Sequence, residues 1–144
     1  MNIAKIQTEL LKDALNGKAS KWLMELDESD IILSTKYQMY VIEAEHFILD
    51  VNKLVGAGVK TMTSGKNILD GYKNAKPLTK TPIKRVMGNL TCIELKLGEE
   101  LIYIDEALLK NYDKSIEFEG TSGKSVVYIY EGELLVGLVL PVRV

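Results

Sequence analysis

A histidine beside carboxylates is a short route to acid–base or metal chemistry, and the chain has one such place. His46 follows Glu45 and lies four residues before Asp50. A metal wants several ligands converging, and a nucleophile wants a base oriented by a third group. With one histidine in the chain, neither constellation is completed, and His46 reads as a structural residue near a strand end. Gly123-Lys124-Ser125 has the ending of a phosphate-binding loop, but Phe118 stands where the leading glycine is required. Gly65-Lys66 fails the same test, with Lys60 and Asn67 at the diagnostic positions. Cys92 is the only cysteine. It excludes an internal disulfide and a multi-cysteine zinc site, and it heads an alternating apolar stretch as a small hydrophobe. The acids of Asp27-Glu28-Ser29-Asp30 and Glu99-Glu100 fall in turns, where solvated carboxylates are ordinary. The chemistry therefore reads as non-catalytic, with no cofactor and no metal.

Charge is more informative than any single residue. Residues 1–50 carry five lysines against nine acids, −4. Residues 51–89 carry Lys53, Lys60, Lys66, Lys73, Lys76, Lys80, Lys84 and Arg85 against Asp70 alone, +7. Residues 90–144 carry five basic residues against ten acids, −5. A basic block between acidic blocks has two readings. It can contact phosphates and release counterions, or it can be a solvated stretch that balances its neighbours. Tyr72 is the only aromatic residue there, so stacking on bases is not its chemistry.

These residues need elements to hold them. A length of 144 residues is about one domain, and 47% hydrophobic with 26% charged is globular composition. Ile3, Ile6, Leu10, Leu11, Ala14 and Leu15 predict an amphipathic helix over 3–16, stopped at Asn16-Gly17. Period two then predicts strands over 22–26, 31–35 and 37–43, with a short one at 47–51. Residues 52–88 are punctuated by glycine and proline and read as a long ordered excursion, with a short helix near Lys66–Asn74. Strands return over 90–97 and 101–104. Asp105 predicts the start of a second helix running to Tyr112, and three further strands follow to Leu140. The last strand is apolar on both faces and belongs deep in a sheet. Helix then three strands, twice, predicts a pseudo-duplicated α+β domain with helices lying on antiparallel sheet. No apolar run is long enough to span a bilayer, and the reading is of a soluble cytoplasmic protein.

The stretch Leu101-Ile-Tyr-Ile-Asp105-Glu-Ala-Leu-Leu-Lys110, followed by Ile116–Gly120, Val126–Tyr130 and Leu138-Val-Leu-Pro141-Val-Arg143-Val144, resembles the last half-domain of the bacterial DNA polymerase sliding clamp, the β subunit. Ile104, Asp105, Ala107 and Leu108 match its Tyr-Leu-x-Asp-Ala-Leu helix, and Leu140-Pro141-Val142-Arg143-Val144 its terminal Met-Pro-Met/Val-Arg-Leu. Ile32–Met39 is similar to its Leu-x-Ala-Thr-Asp-Gly-His-Arg-Leu turn, with Lys36, Tyr37 and Gln38 in place of Asp-Gly-His.

The resemblance implies a clamp-like fold and a protein that contacts duplex DNA non-specifically while docking replication or repair partners. Helix-borne Lys5 and Lys12, with the basic residues of 53–85, would face DNA. Leu140, Pro141, Val142 and Arg143 would line the pocket for partner peptides. A clamp chain normally has three such domains, so one domain per chain implies a homo-oligomer if a ring forms, and it would suit a phage or mobile element. The alternative is an adaptor or inhibitor on the same fold that does not bind DNA.

Overall fold

A computed structural model describes residues 1–143. Val144, the last residue of the tail pattern, lies outside them. The first helix, α1 (Ile3–Leu15), starts where the Asn2 side chain accepts the Lys5 N–H, and it buries Ile6 and Leu10 completely. Gly17, at φ +73°, takes the left-handed position that ends it. Strands β1 (Leu23–Leu26), β2 (Asp30–Ser34) and β3 (Gln38–Glu43) form an antiparallel meander. A short helix α2 (Val51–Ala57) follows, capped by the Asp50 side chain and closed by Gly58 at φ +114°. The two-residue strand β4 (Lys60–Thr61) then pairs parallel with β1. Helix α3 (Gly65–Leu69) runs on as a 3-10 turn over Asp70–Asn74. Strands β5 (Lys76–Met87), β6 (Leu90–Leu97) and β7 (Glu100–Asp105) come next. A 3-10 turn (Glu106–Leu109) leads to β8 (Glu117–Gly120), β9 (Val127–Glu131) and β10 (Leu134–Val139).

The result is a mixed α+β fold on a ten-stranded sheet, ordered β4-β1-β2-β3-β10-β9-β8-β5-β6-β7. Two meanders, β1–β3 and β8–β10, meet antiparallel at β3 and β10, where Tyr40 faces Gly137 and Met39 faces Leu138. The apolar last strand is central, as its composition predicts. Strand β5 serves two partners. Residues 76–78 pair with β8, and 79–87 pair with β6 across a register shift between Lys80 and Lys84. Pro82 lies inside that shift and has no N–H for the ladder. Beyond β10 the chain turns back. The Leu140 N–H donates to the Tyr37 carbonyl (2.9 Å) and the Val142 N–H to the Tyr103 carbonyl on β7 (2.8 Å). The tail thus ties the middle of the sheet to its far edge.

Three expectations are corrected. The second helix over 105–112 is only the four-residue 3-10 turn, because Asp105 caps it and apolar residues soon leave for the core as Tyr112 and Ile116. The strand at 47–51 is absent, since Asp50 instead starts α2. Residues 52–88 are not an excursion: they contribute α2, β4, α3 and the longest strand. The three-strand units occur twice, but a thirteen-residue α-helix precedes the first and a 3-10 turn the second.

One side of the sheet holds the main core, from Ile6 and Leu10 of α1 to Ile104, Ile129 and Val139. The other side has a smaller cluster of Ile32, Met39, Leu69, Tyr128 and Leu138 beneath α3. Glu25 fastens that layer. The residue is buried, 9% exposed, and its carboxylate accepts the Gly65 N–H (3.0 Å) and the Lys66 N–H (2.9 Å), at a helix end whose Ser64 supplies no side-chain cap. Replacing it by alanine leaves two inward N–H groups without an acceptor. Glu25→Ala is expected to cost about 1–3 kcal/mol, read by urea denaturation, and an unchanged midpoint would refute the clasp. Asp27 adds a second tie to Lys66 (2.9 Å). That hydrogen bond, helped by the Glu28 backbone, holds the Asp27 carboxyl below its ordinary value. A depressed carboxyl stabilises above its unfolded pKa and stops doing so as pH falls through the folded one. Amide exchange over 65–69, corrected for intrinsic rates, should therefore accelerate below about pH 4, and Lys66→Met should shrink that step to what the Glu25 clasp alone contributes.

Candidate functional site

The tail brings four expected residues together. Leu140, Pro141, Val142 and Arg143 line one cavity of about 400 Å³ with Tyr37, Leu90 and Leu108. Each wall has a local cause. Backbone bonds at Leu140 and Val142 pin the tail, and Pro141 between them fixes its own φ. Tyr37 sits in the β2–β3 turn, closed by the Thr35 N–H to the Gln38 carbonyl (2.9 Å), and is 51% exposed. Leu108 is held by the 3-10 turn, whose Asp105 carboxylate accepts the Ala107 N–H (3.0 Å). The lining is mostly apolar, with Asp105, Lys124 and Arg143 as its charged residues. Such a concavity suits leucine or phenylalanine side chains of a short segment.

Tyr37 is also a wall of a second cleft, of about 710 Å³, between α1, the start of β1 and the β2–β3 turn. Lys21, Lys36, Lys60 and Lys110 surround it, with Glu9 and Asp13 as its acids. Glu9 pairs with Lys110 (3.3 Å), and Asp13 accepts the Trp22 indole N–H (2.9 Å). Lys36 lies over the Tyr37 ring, 5.2 Å from its centre. Burial raises the pKa of the Tyr40 hydroxyl against the opposing hydrogen bond from Asn111.

The basic residues expected at DNA are not gathered. Lys5 and Lys12 are exposed on α1. Lys53 lies on α2, and Lys60 on β4 at one end of the sheet. Lys66 and Lys73 belong to the 65–74 layer, where Lys66 is taken by Asp27. Lys76, Lys80, Lys84 and Arg85 run along β5 near the opposite end. There Lys84 pairs with Glu106 (2.8 Å), and Arg85 lies 5.4 Å from the Tyr103 ring centre.

Neither cleft is lined by Cys92, Gly123 or His46. Cys92 is fully buried, which raises its thiol pKa. The Gly123 N–H donates to Glu100 (2.8 Å) in the β8–β9 hairpin, away from any helix N-terminus. His46 lies 3.5 Å from Glu43 and 3.6 Å from Glu45. Those three residues could offer ligand atoms to an ion, but all are exposed. Sequence alone gives no reason to join Leu90, Leu108, Lys21, Lys36 and Lys110 at a site, since they come from four separate segments. Tyr37 alone carried a signal, as a large aromatic residue in a turn. No helix of the described residues is long and apolar enough to cross a membrane. No family model matches the chain, and no match emerged among curated proteins or solved structures.

Proposed function

We propose that this is a clamp-like, non-catalytic cytoplasmic protein that docks short peptides of replication or repair partners in the tail cleft. The observation that carries this reading is the convergence of Leu140–Arg143 with Tyr37, Leu90 and Leu108 on one apolar cavity. The strand order also supports a duplicated clamp-like domain. Outward from the β3–β10 seam, β2 and β1 on one side correspond to β9 and β8 on the other. Burying one leucine-sized side chain is worth about 1.5–3 kcal/mol. A labelled peptide with leucine and phenylalanine anchors should therefore bind, and Leu140→Asp should weaken it about ten- to a hundredfold with unchanged circular dichroism. Equal binding by the variant, or none by the wild type, would overturn the docking reading.

A second reading adds non-specific duplex DNA contact by a homo-oligomer. It rests on Lys5 and Lys12 along the outer side of α1 and on exposed Lys76 and Lys80. Binding of random-sequence duplex that collapses between low and moderate salt, on an assembly larger than the monomer, is the expected result. A monomer without DNA affinity at low salt would leave the adaptor role alone.

A further inference from the structure

The apolar tail cleft and the lysine-lined cleft share Tyr37 as a common wall, and a chain lying in one would reach the other by crossing that ring. The second cleft has four lysines to two carboxylates. One carboxylate is engaged by Lys110 and the other accepts an indole N–H. Lys21, Lys36 and Lys60 are exposed and form no ion pair among the described residues. This excess stands out in a chain of net charge −2. It lies within a concavity beside Trp22 and Tyr40. We infer that the occupant of the tail cleft is an apolar–acidic peptide, whose leucine or phenylalanine anchors fill the tail cleft while an adjoining run of aspartate or glutamate crosses Tyr37 to Lys21, Lys36 and Lys60. This inference rests on the docking reading. It specifies the partner's charge and where the charge is read. Complementary charge acts on encounter rate and partner choice as well as on affinity.

The test uses four labelled ligands on the full chain: anchors with neutral flanks, anchors with three acids on the N-terminal side, anchors with three acids on the C-terminal side, and oligothymidylate. One acidic peptide should bind about tenfold more tightly than the neutral one at low ionic strength, and the gain should shrink with salt. Lys21→Glu/Lys36→Glu/Lys60→Glu should abolish the gain while leaving the neutral peptide's affinity unchanged. The milder Lys→Gln set should give an intermediate value. Trp22, the only tryptophan, should change its fluorescence with the acidic peptide and not with the neutral one. If the neutral peptide binds and neither acidic peptide gains, the inference fails and the docking reading stands. Failure of all peptides overturns both. Oligothymidylate binding that requires the three lysines and outcompetes the acidic peptides would assign the second cleft to single-stranded nucleic acid instead.

Discussion

Gly137→Ala is expected to lower stability by about 2–3 kcal/mol, although the change adds a single methyl group. Gly137 faces Tyr40 across the β3–β10 seam. A Cβ at this position would meet the Tyr112 hydroxyl on one side and, at 2.5 Å, the Met39 carbonyl oxygen on the other. The hydroxyl can move. The carbonyl cannot move without shifting β3, because it belongs to the strand that pairs here. Overpacking of this kind costs about 1–3 kcal/mol, and the stiffer unfolded chain returns less than about 1 kcal/mol. Tyr112→Phe separates the two obstacles. Tyr112 stacks against Tyr40 with ring centres 5.7 Å apart, and its hydroxyl lies 3.4 Å from the Met39 oxygen. In a double-mutant cycle, Tyr112→Phe should recover part of the Gly137→Ala loss, and the backbone clash should keep the rest. Urea melts of the four proteins measure this. A loss under about 0.5 kcal/mol would mean that the two meanders are not in close contact at this point.

Trp22→Ala should be costlier, at about 3–5 kcal/mol. The indole is 3% exposed and belongs to the main core, while its N–H donates to Asp13 at the end of α1 (2.9 Å). Removing it deletes a large apolar volume and the polar tie that seats α1 against β1. Trp22→Phe keeps most of the volume and should lose about 1.5–3 kcal/mol through the charge-accepted hydrogen bond and the smaller ring. Asp13→Leu in that background should then add little. Domains of this size hold about 5–15 kcal/mol in total, so Trp22→Ala should leave a protein that melts early or fails to accumulate. Far-UV circular dichroism with urea is the readout, since the fluorophore is gone. A Trp22→Ala loss no larger than that of Trp22→Phe would place the tie in the hydrogen bond alone.

The parts legible from sequence are those whose apolar residues are buried in the sheet, on one face or on both, between clear turn residues. Alternation placed β1–β3, β6 and β7, and a continuous apolar run placed β10, each to within a residue or two. The period of α1 is carried by six apolar residues, of which Ile6 and Leu10 are fully buried while Leu11 and Leu15 stay exposed. Strand β5 carries no such record. Of its twelve residues only Leu78 is buried, and two prolines interrupt it, so local pattern reads it as loop while its partners β6 and β8 impose extension. Helix α2 did leave a signal, Asp50 before it and Gly58 after it, that its short apolar face concealed. For the site, the tail residues were legible through their resemblance to a terminal motif. Leu90 and Leu108 were not, because they join a cleft with Tyr37 only after the tail has turned back to β7, and the lysines beside Tyr37 were not, because separate segments bring them there.

The seam between β3 and β10 also dictates a timetable. Tyr40 pairs with Gly137, a partner synthesised roughly a hundred residues later. Pairings of such separation form slowly, because loop closure must be met before contacts repay it. During translation the meander β1–β3 emerges early and waits with the long side of β3 bare until β10 clears the ribosome. A bare, apolar strand edge is a template for wrong partners. The interval before that final strand arrives is therefore when this chain is most exposed to self-association, and slowing elongation within the last strand should raise the aggregated fraction while leaving the stability of the finished protein untouched.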